Sequence, residues 1–74
     1  MNYKVGDVII VVSVDAFYWG AIGRIREVYD DYYNVVFEAK DMDTGEVFIY
    51  EECDYLEEEI ELFDEEKMNR EMEE

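Results

Sequence analysis

The sequence has no histidine, no proline, one cysteine and only 6 basic residues among 74. Without histidine the commonest general base is missing, and Ser13 lies inside an apolar run. No nucleophile and base can be assembled from such a set, so an enzyme is not expected. The lone Cys53 cannot close an intrachain disulfide, which suits a reducing compartment, and with no histidine to activate it Cys53 reads as a small buried residue. The shortage of Lys and Arg argues against direct binding of nucleic acid, whose phosphates need cations. The longest apolar run, Val8 to Val14, falls far short of the ~20 residues of a spanning helix, follows Asp7 and lacks a small-residue cleavage site. A soluble, cytoplasmic protein is the expectation.

What the sequence does have is acid. It carries 22 Asp and Glu for a net charge of −16, yet 50% of its residues are hydrophobic and 16% aromatic. Acidic runs this dense usually lack the apolar residues needed for a core, and these do not. The charge is polarised: residues 1–40 carry 6 acids and 4 bases, whereas residues 41–74 carry 16 acids and 2 bases. Such a field bears on partners and association rates rather than on fold, and it selects a basic partner.

Turn signals and β-branched runs divide the chain into short strands. Gly6-Asp7 opens a strand over Val8 to Val14, whose near-continuous apolar character predicts burial on both faces. Asp15 to Gly20 is a loop bearing Phe17, Tyr18 and Trp19, either the lid of a small barrel or a contact surface. Gly20 to Ile25 (GAIGRI) predicts a turn into a bending strand, with glycine where a side chain would obstruct a close backbone approach. Tyr29-Asp30-Asp31 turns the chain into a strand from Tyr32 to Ala39, with Tyr33, Val35 and Phe37 on one face. Lys40 to Gly45 forms the next turn, and Glu46 to Tyr50 alternates Val47 and Ile49 against Glu46, Phe48 and Tyr50. Glu51 to Tyr55 reads as a tight or single-turn helical connection and Glu59 to Phe63 as a last strand. The sum is an all-β domain over residues 1–63, a small five-stranded antiparallel barrel. Residues 64–74 (DEEKMNREMEE) form an acidic tail or short helix with Asp64 as N-cap.

Several of these segments carry a resemblance. Val5-Gly6-Asp7, Gly20 to Ile25, the Tyr-Val-Phe pattern of residues 32–39, Glu46 to Tyr50 and the terminal Glu-Leu strand together resemble SH3-like barrels of the KOW type. They also resemble small SH3-like proteins encoded by bacteriophages. KOW-type barrels that touch RNA are usually basic, so the acidity here opposes carrying over RNA binding. A barrel coated with acid is similar to the acidic phage proteins that shut down host DNA-binding machinery, among them inhibitors of the bacterial sliding clamp, the ring that encircles DNA in replication. That resemblance implies an acidic face inside the ring's basic channel, excluding DNA.

The residues supply the matching chemistry. Alternate carboxylates on one strand face lie about 6.6 to 6.8 Å apart, of the same order as successive phosphates on one nucleic-acid strand. Asp41, Asp43, Glu46, Glu51, Glu52, Asp54, Glu57, Glu58, Glu59 and Glu61 are the candidate partner-binding acids. A competing expectation is an adaptor that grips a peptide through Phe17, Tyr18 and Trp19. Asp41 to Gly45 looks faintly like a calcium loop, but Glu46 stands where glycine is needed, so no metal or cofactor is expected. A homodimer remains open, with repulsion at −16 opposing it and Trp19, Phe48 and the tail methionines favouring it.

Overall fold

A computed structural model describes residues 2–63. The domain is all-β, with five antiparallel strands in one sheet: β1 (Val8–Val11), β2 (Ile22–Val28), β3 (Tyr33–Lys40), β4 (Val47–Tyr55) and β5 (Ile60–Leu62). A single 3-10 turn, Glu57–Glu59, precedes β5. The strand order is β4-β3-β2-β1-β5, so β3 sits between its hairpin partners and β4 and β5 are the edges. The barrel is not closed: among the described residues no ladder joins β4 to β5.

The sheet nevertheless wraps around one core. Ile9 and Val11 of β1, Ile25 of β2, Tyr33, Val35 and Phe37 of β3, Tyr55 of β4 and Ile60 of β5 form one cluster, each at most 2% exposed. All five strands feed this cluster from one face, which a flat sheet cannot achieve, since its outermost strands would be too far apart to share neighbours. The expected inward set Tyr33, Val35 and Phe37 is the set observed.

The register shows where local reading fails. Glu51 to Tyr55, expected as a connection, continues β4: Phe37 pairs with Glu51, Val35 with Cys53 and Tyr33 with Tyr55. β3 offers eight residues of backbone donors and acceptors, and leaving half of one edge unpaired against a core would cost more than the acidic side chains lose by extending. The helical turn falls at Glu57–Glu59 instead, where Glu59 Oε1 accepts the Leu56 N–H at 2.8 Å. β1 is also shorter than Val8 to Val14. It ends at Val11, beyond which the N–H groups of Val12 and Ser13 both donate to the Glu59 carbonyl, at 2.9 and 3.3 Å. Nor is β1 fully buried on both faces: Ile9 and Val11 are buried, Val8 and Ile10 partly so, and Val14 is exposed. The last strand is trimmed to Ile60–Leu62, and the expected tail or helix at 64–74 lies outside the described residues.

Two glycines at β2 are required for different reasons. Gly20 has φ +85° at the entry to β2, where an L side chain is strained. Gly23 has an ordinary φ but faces the core: an added Cβ would lie 2.5 Å from Val35 Cγ1, 2.9 Å from Phe37 Cε1 and 3.0 Å from the Val36 carbonyl oxygen. Its absent side chain is what lets β2 cross the inward face of β3. Replacing Gly23→Ala is expected to destabilise the fold by about 1–3 kcal/mol, the usual range for overpacking. Urea unfolding measures this, and an unchanged midpoint would show that the two strands are not held this closely.

Candidate functional site

The ten candidate acids do not lie on one strand face. Asp41, Asp43 and Glu46 occupy the tip of the β3–β4 hairpin. Glu52 and Asp54, two residues apart on β4, share the outward face, because they pair with Val36 and Asn34 of β3. Glu51 pairs with Phe37 and falls on the opposite, inward-facing side, at the exposed rim. Glu57, Glu58 and Glu59 make up the 3-10 turn, and Glu61 pairs with Ile10 on the far edge. All ten therefore lie on the two edge strands or on the segments leading into them, and from Asp41 to Phe63 the chain has no Lys or Arg. The carboxylates line the open seam of the sheet.

Some are tied into the fold. Asp41 Oδ1 accepts the N–H groups of Asp43 and Thr44 at 2.8 and 3.2 Å, which closes the hairpin turn. The former calcium-loop look-alike is thus a turn held by its own aspartate. Among the described residues no group of three His, Cys, Asp or Glu is placed to hold a metal. Asp54 Oδ1 accepts from the buried Asn34 Nδ2 at 2.9 Å. Glu52 pairs with Arg26, and Glu38 of β3 with Arg24 at 3.7 Å. Both arginines come from β2, so the outward face at the middle of the sheet is mixed in charge. These partners were not expected from the sequence. A signal was there, since Arg24 and Arg26 are the two bases of one strand, but choosing their partners requires the β2–β3–β4 register and the bulge at Arg26.

Others are free of such ties. Asp43, Glu46, Glu58 and Glu61 are exposed, and their carboxylates make no hydrogen bond or ion pair among the described residues. Exposed, unneutralised carboxylates are the part of the seam that projects a field.

The aromatic loop divides in two. Tyr18 packs its ring 5.2 Å from that of Phe37 and has a positive φ of 61°, which is costly for a bulky residue. Its phenol is held above the usual range, first by a hydrogen bond to Glu51 and then by burial. The Tyr55 hydroxyl pins the loop from below by donating to the Phe17 carbonyl at 2.5 Å. Burial drives the Tyr55 phenol well above its ordinary value. Tyr18 leans one side of its ring on Phe37 and stays 43% exposed, while Phe17 and Trp19 are 76% and 63% exposed.

At the other end of the seam Glu57 closes the core. Its Oε1 accepts the Asn2 N–H at 2.7 Å and the Tyr33 hydroxyl at 2.9 Å, while that hydroxyl accepts the Tyr3 N–H at 3.2 Å. These bonds, the Asn2 amide foremost, hold the Glu57 carboxyl below its ordinary range.

Compared with known proteins, the chain matches no family model and none of the curated sequences. No helix among the described residues is long and apolar enough to cross a membrane.

A depressed carboxyl stabilises the fold when ionised. Its contribution is complete above the unfolded value and is lost as pH falls through the folded one. An NMR titration of the Glu57 side chain is therefore expected to give a midpoint below the ordinary glutamate range, with the contribution lost as pH falls through that midpoint. Tyr33→Phe should move the midpoint up toward the ordinary range; no movement would mean that the hydroxyl does not hold the carboxylate.

Proposed function

We propose that the protein is an acidic DNA mimic. It occupies the basic DNA-binding channel of a bacterial DNA-binding protein, the replication sliding clamp foremost, and so blocks DNA loading and replication. The observation that supports this reading is the seam itself: ten carboxylates and no base from Asp41 to Phe63, held on the edges of a folded sheet. A disordered acidic tail would lose conformational entropy on entering a channel, whereas a folded edge presents its charges already placed. The nearest match to phosphate spacing is Glu52 and Asp54 on the outward face of β4, and the exposed acids at the hairpin tip and near β5 extend the field at both ends. Encounter with a lysine- and arginine-lined channel would be steered and salt-sensitive. The protein does no chemistry in this reading. The choice of the clamp, a phage source and an SH3-like, KOW-type ancestry come from the sequence resemblance.

A second reading is favoured by one observation. Phe17, Tyr18 and Trp19 are all exposed on a loop anchored by the Tyr18 ring against Phe37 and by the Tyr55 hydroxyl, as a peptide-gripping adaptor would have them. The two readings call on different surfaces.

The acids without internal partners separate them cleanly, because their removal spares the turn at Asp41 and the lock at Glu57. Asp43→Asn, Glu46→Gln, Glu58→Gln and Glu61→Gln together should weaken binding to the purified clamp on the order of tenfold, at a few tenths of a kcal/mol per exposed charge pair. A DNA duplex should displace the parent protein. Full affinity in the quadruple variant, or binding indifferent to DNA, would overturn the mimic and leave the Phe17 to Trp19 surface as the site, to be tested with Trp19→Ala.

A further inference from the structure

The acidic seam has one uncharged gap. Val47, Phe48, Ile49 and Tyr50 follow one another on β4 and are 61%, 49%, 53% and 56% exposed. The alternation in this segment predicts one buried face, and neither face is buried. The pairing explains why: Val47, Phe48 and Ile49 lie opposite Lys40, Ala39 and Glu38, at the end of β3 beyond the core residue Phe37, and the register slips at Tyr50. The hairpin thus carries Val47, Phe48 and Ile49 past the core and leaves Tyr50 at its margin, with its ring 6.5 Å from that of Phe37. On its other side β4 has no neighbour among the described strands, so the outward-pointing N–H and C=O groups of this stretch lack a ladder partner.

An open strand edge of this kind is a template for one more strand. Backbone bonds supply affinity there, and alternate side chains supply specificity. Charge selects the occupant. Glu46 precedes the quartet and Glu51 and Glu52 follow it, while Lys40 on the neighbouring strand is the one base at this hairpin among the described residues. A second copy would bring the same −16 to the same place. We infer that the Val47–Tyr50 edge of β4 accepts an extended segment of a protein partner by strand addition, the segment carrying lysine or arginine around apolar residues. Its apolar side chains meet the quartet and its cations meet Glu46 and Glu51, Glu52 being already paired with Arg26. The inference goes beyond mimicry, because it concerns backbone pairing at a particular edge rather than occupation of a DNA channel.

The test uses the full chain and a synthetic octapeptide that alternates lysine with valine, beside a counterpart with glutamate in place of lysine. Amide shifts and hydrogen exchange are followed by NMR. The lysine peptide is expected to shift the amides of residues 47–50 and to slow exchange of those facing outward about fivefold, the net worth of one hydrogen bond. Added salt should weaken binding, and the glutamate peptide should do nothing. The double variant Val47→Lys with Ile49→Lys, at two exposed positions, should keep its urea midpoint and lose the peptide. Shifts confined to Phe17–Trp19 or to residues 57–61, equal binding of both peptides, or binding retained by the double variant would each overturn the inference. So would slowed exchange at 47–50 that appears with rising protein concentration and no peptide, since a second copy would then own the edge. Loss of clamp binding in the quadruple acid variant leaves all of these outcomes untouched, so the two proposals can fail separately.

Discussion

Burial of the inward face of β3 is the constraint on which the rest of this small domain depends. Tyr33, Val35 and Phe37 are each at most 1% exposed, and every other strand contributes residues packed into the cluster they form. A chain this short has little apolar area to spare, so one well-packed centre has to offset the ordering of the whole sheet. That is why the absent side chain of Gly23 matters, as does the inward Tyr18 ring over Phe37. It is also why the two hydroxyls that reach the core are met there, that of Tyr33 by Glu57 and Tyr3 and that of Tyr55 by the Phe17 carbonyl, whereas Asn34 Oδ1, on the other face of β3, is buried without a partner among the described residues.

Charge is arranged around that centre in a consistent way. The middle of the sheet, where repulsion would act on paired strands, carries Arg24 and Arg26 against Glu38 and Glu52. The seam acids without partners, Asp43, Glu46, Glu58 and Glu61, stand at the edges, where water screens them and where neighbours are fewest. The same placement guards open strand edges against pairing with other edges, so part of the acidity has a structural use whatever the partner. The Val47 to Tyr50 quartet is conspicuous because it has no such guard.

Two of the three surfaces proposed for binding, the aromatic loop and the β4 edge, meet near Glu51. Glu51 raises the Tyr18 phenol above its usual range, and the Tyr18 ring packs 5.2 Å from that of Phe37 between the exposed Phe17 and Trp19. Tyr50, at the end of the apolar quartet, lies with its ring 6.5 Å from that of Phe37. The aromatic loop and the β4 edge are thus built on the same core residue. A change at Phe37 would reach both.

Much of the fold was legible in the residues. The alternation of Tyr33, Val35 and Phe37 named the central inward face, the GAIGRI glycines marked a turn and a close approach, and the acid-rich stretch that begins at Asp41 was read as folded, as it is through Phe63. These features are local, because a period of two and a glycine among β-branched residues mean the same thing in any sheet. What failed was decided by neighbours far away in sequence. Glu51 to Tyr55 has poor strand propensity and is a strand because β3 lies alongside it; β1 stops at Val11 because Glu59 takes the next two amides. The candidate acids followed the same rule. Composition determined by itself that this protein is folded and strongly negative, and only the tertiary structure decided that the charge lines an open seam rather than one face, because facing and pairing are set by strand register, which no short stretch of sequence contains.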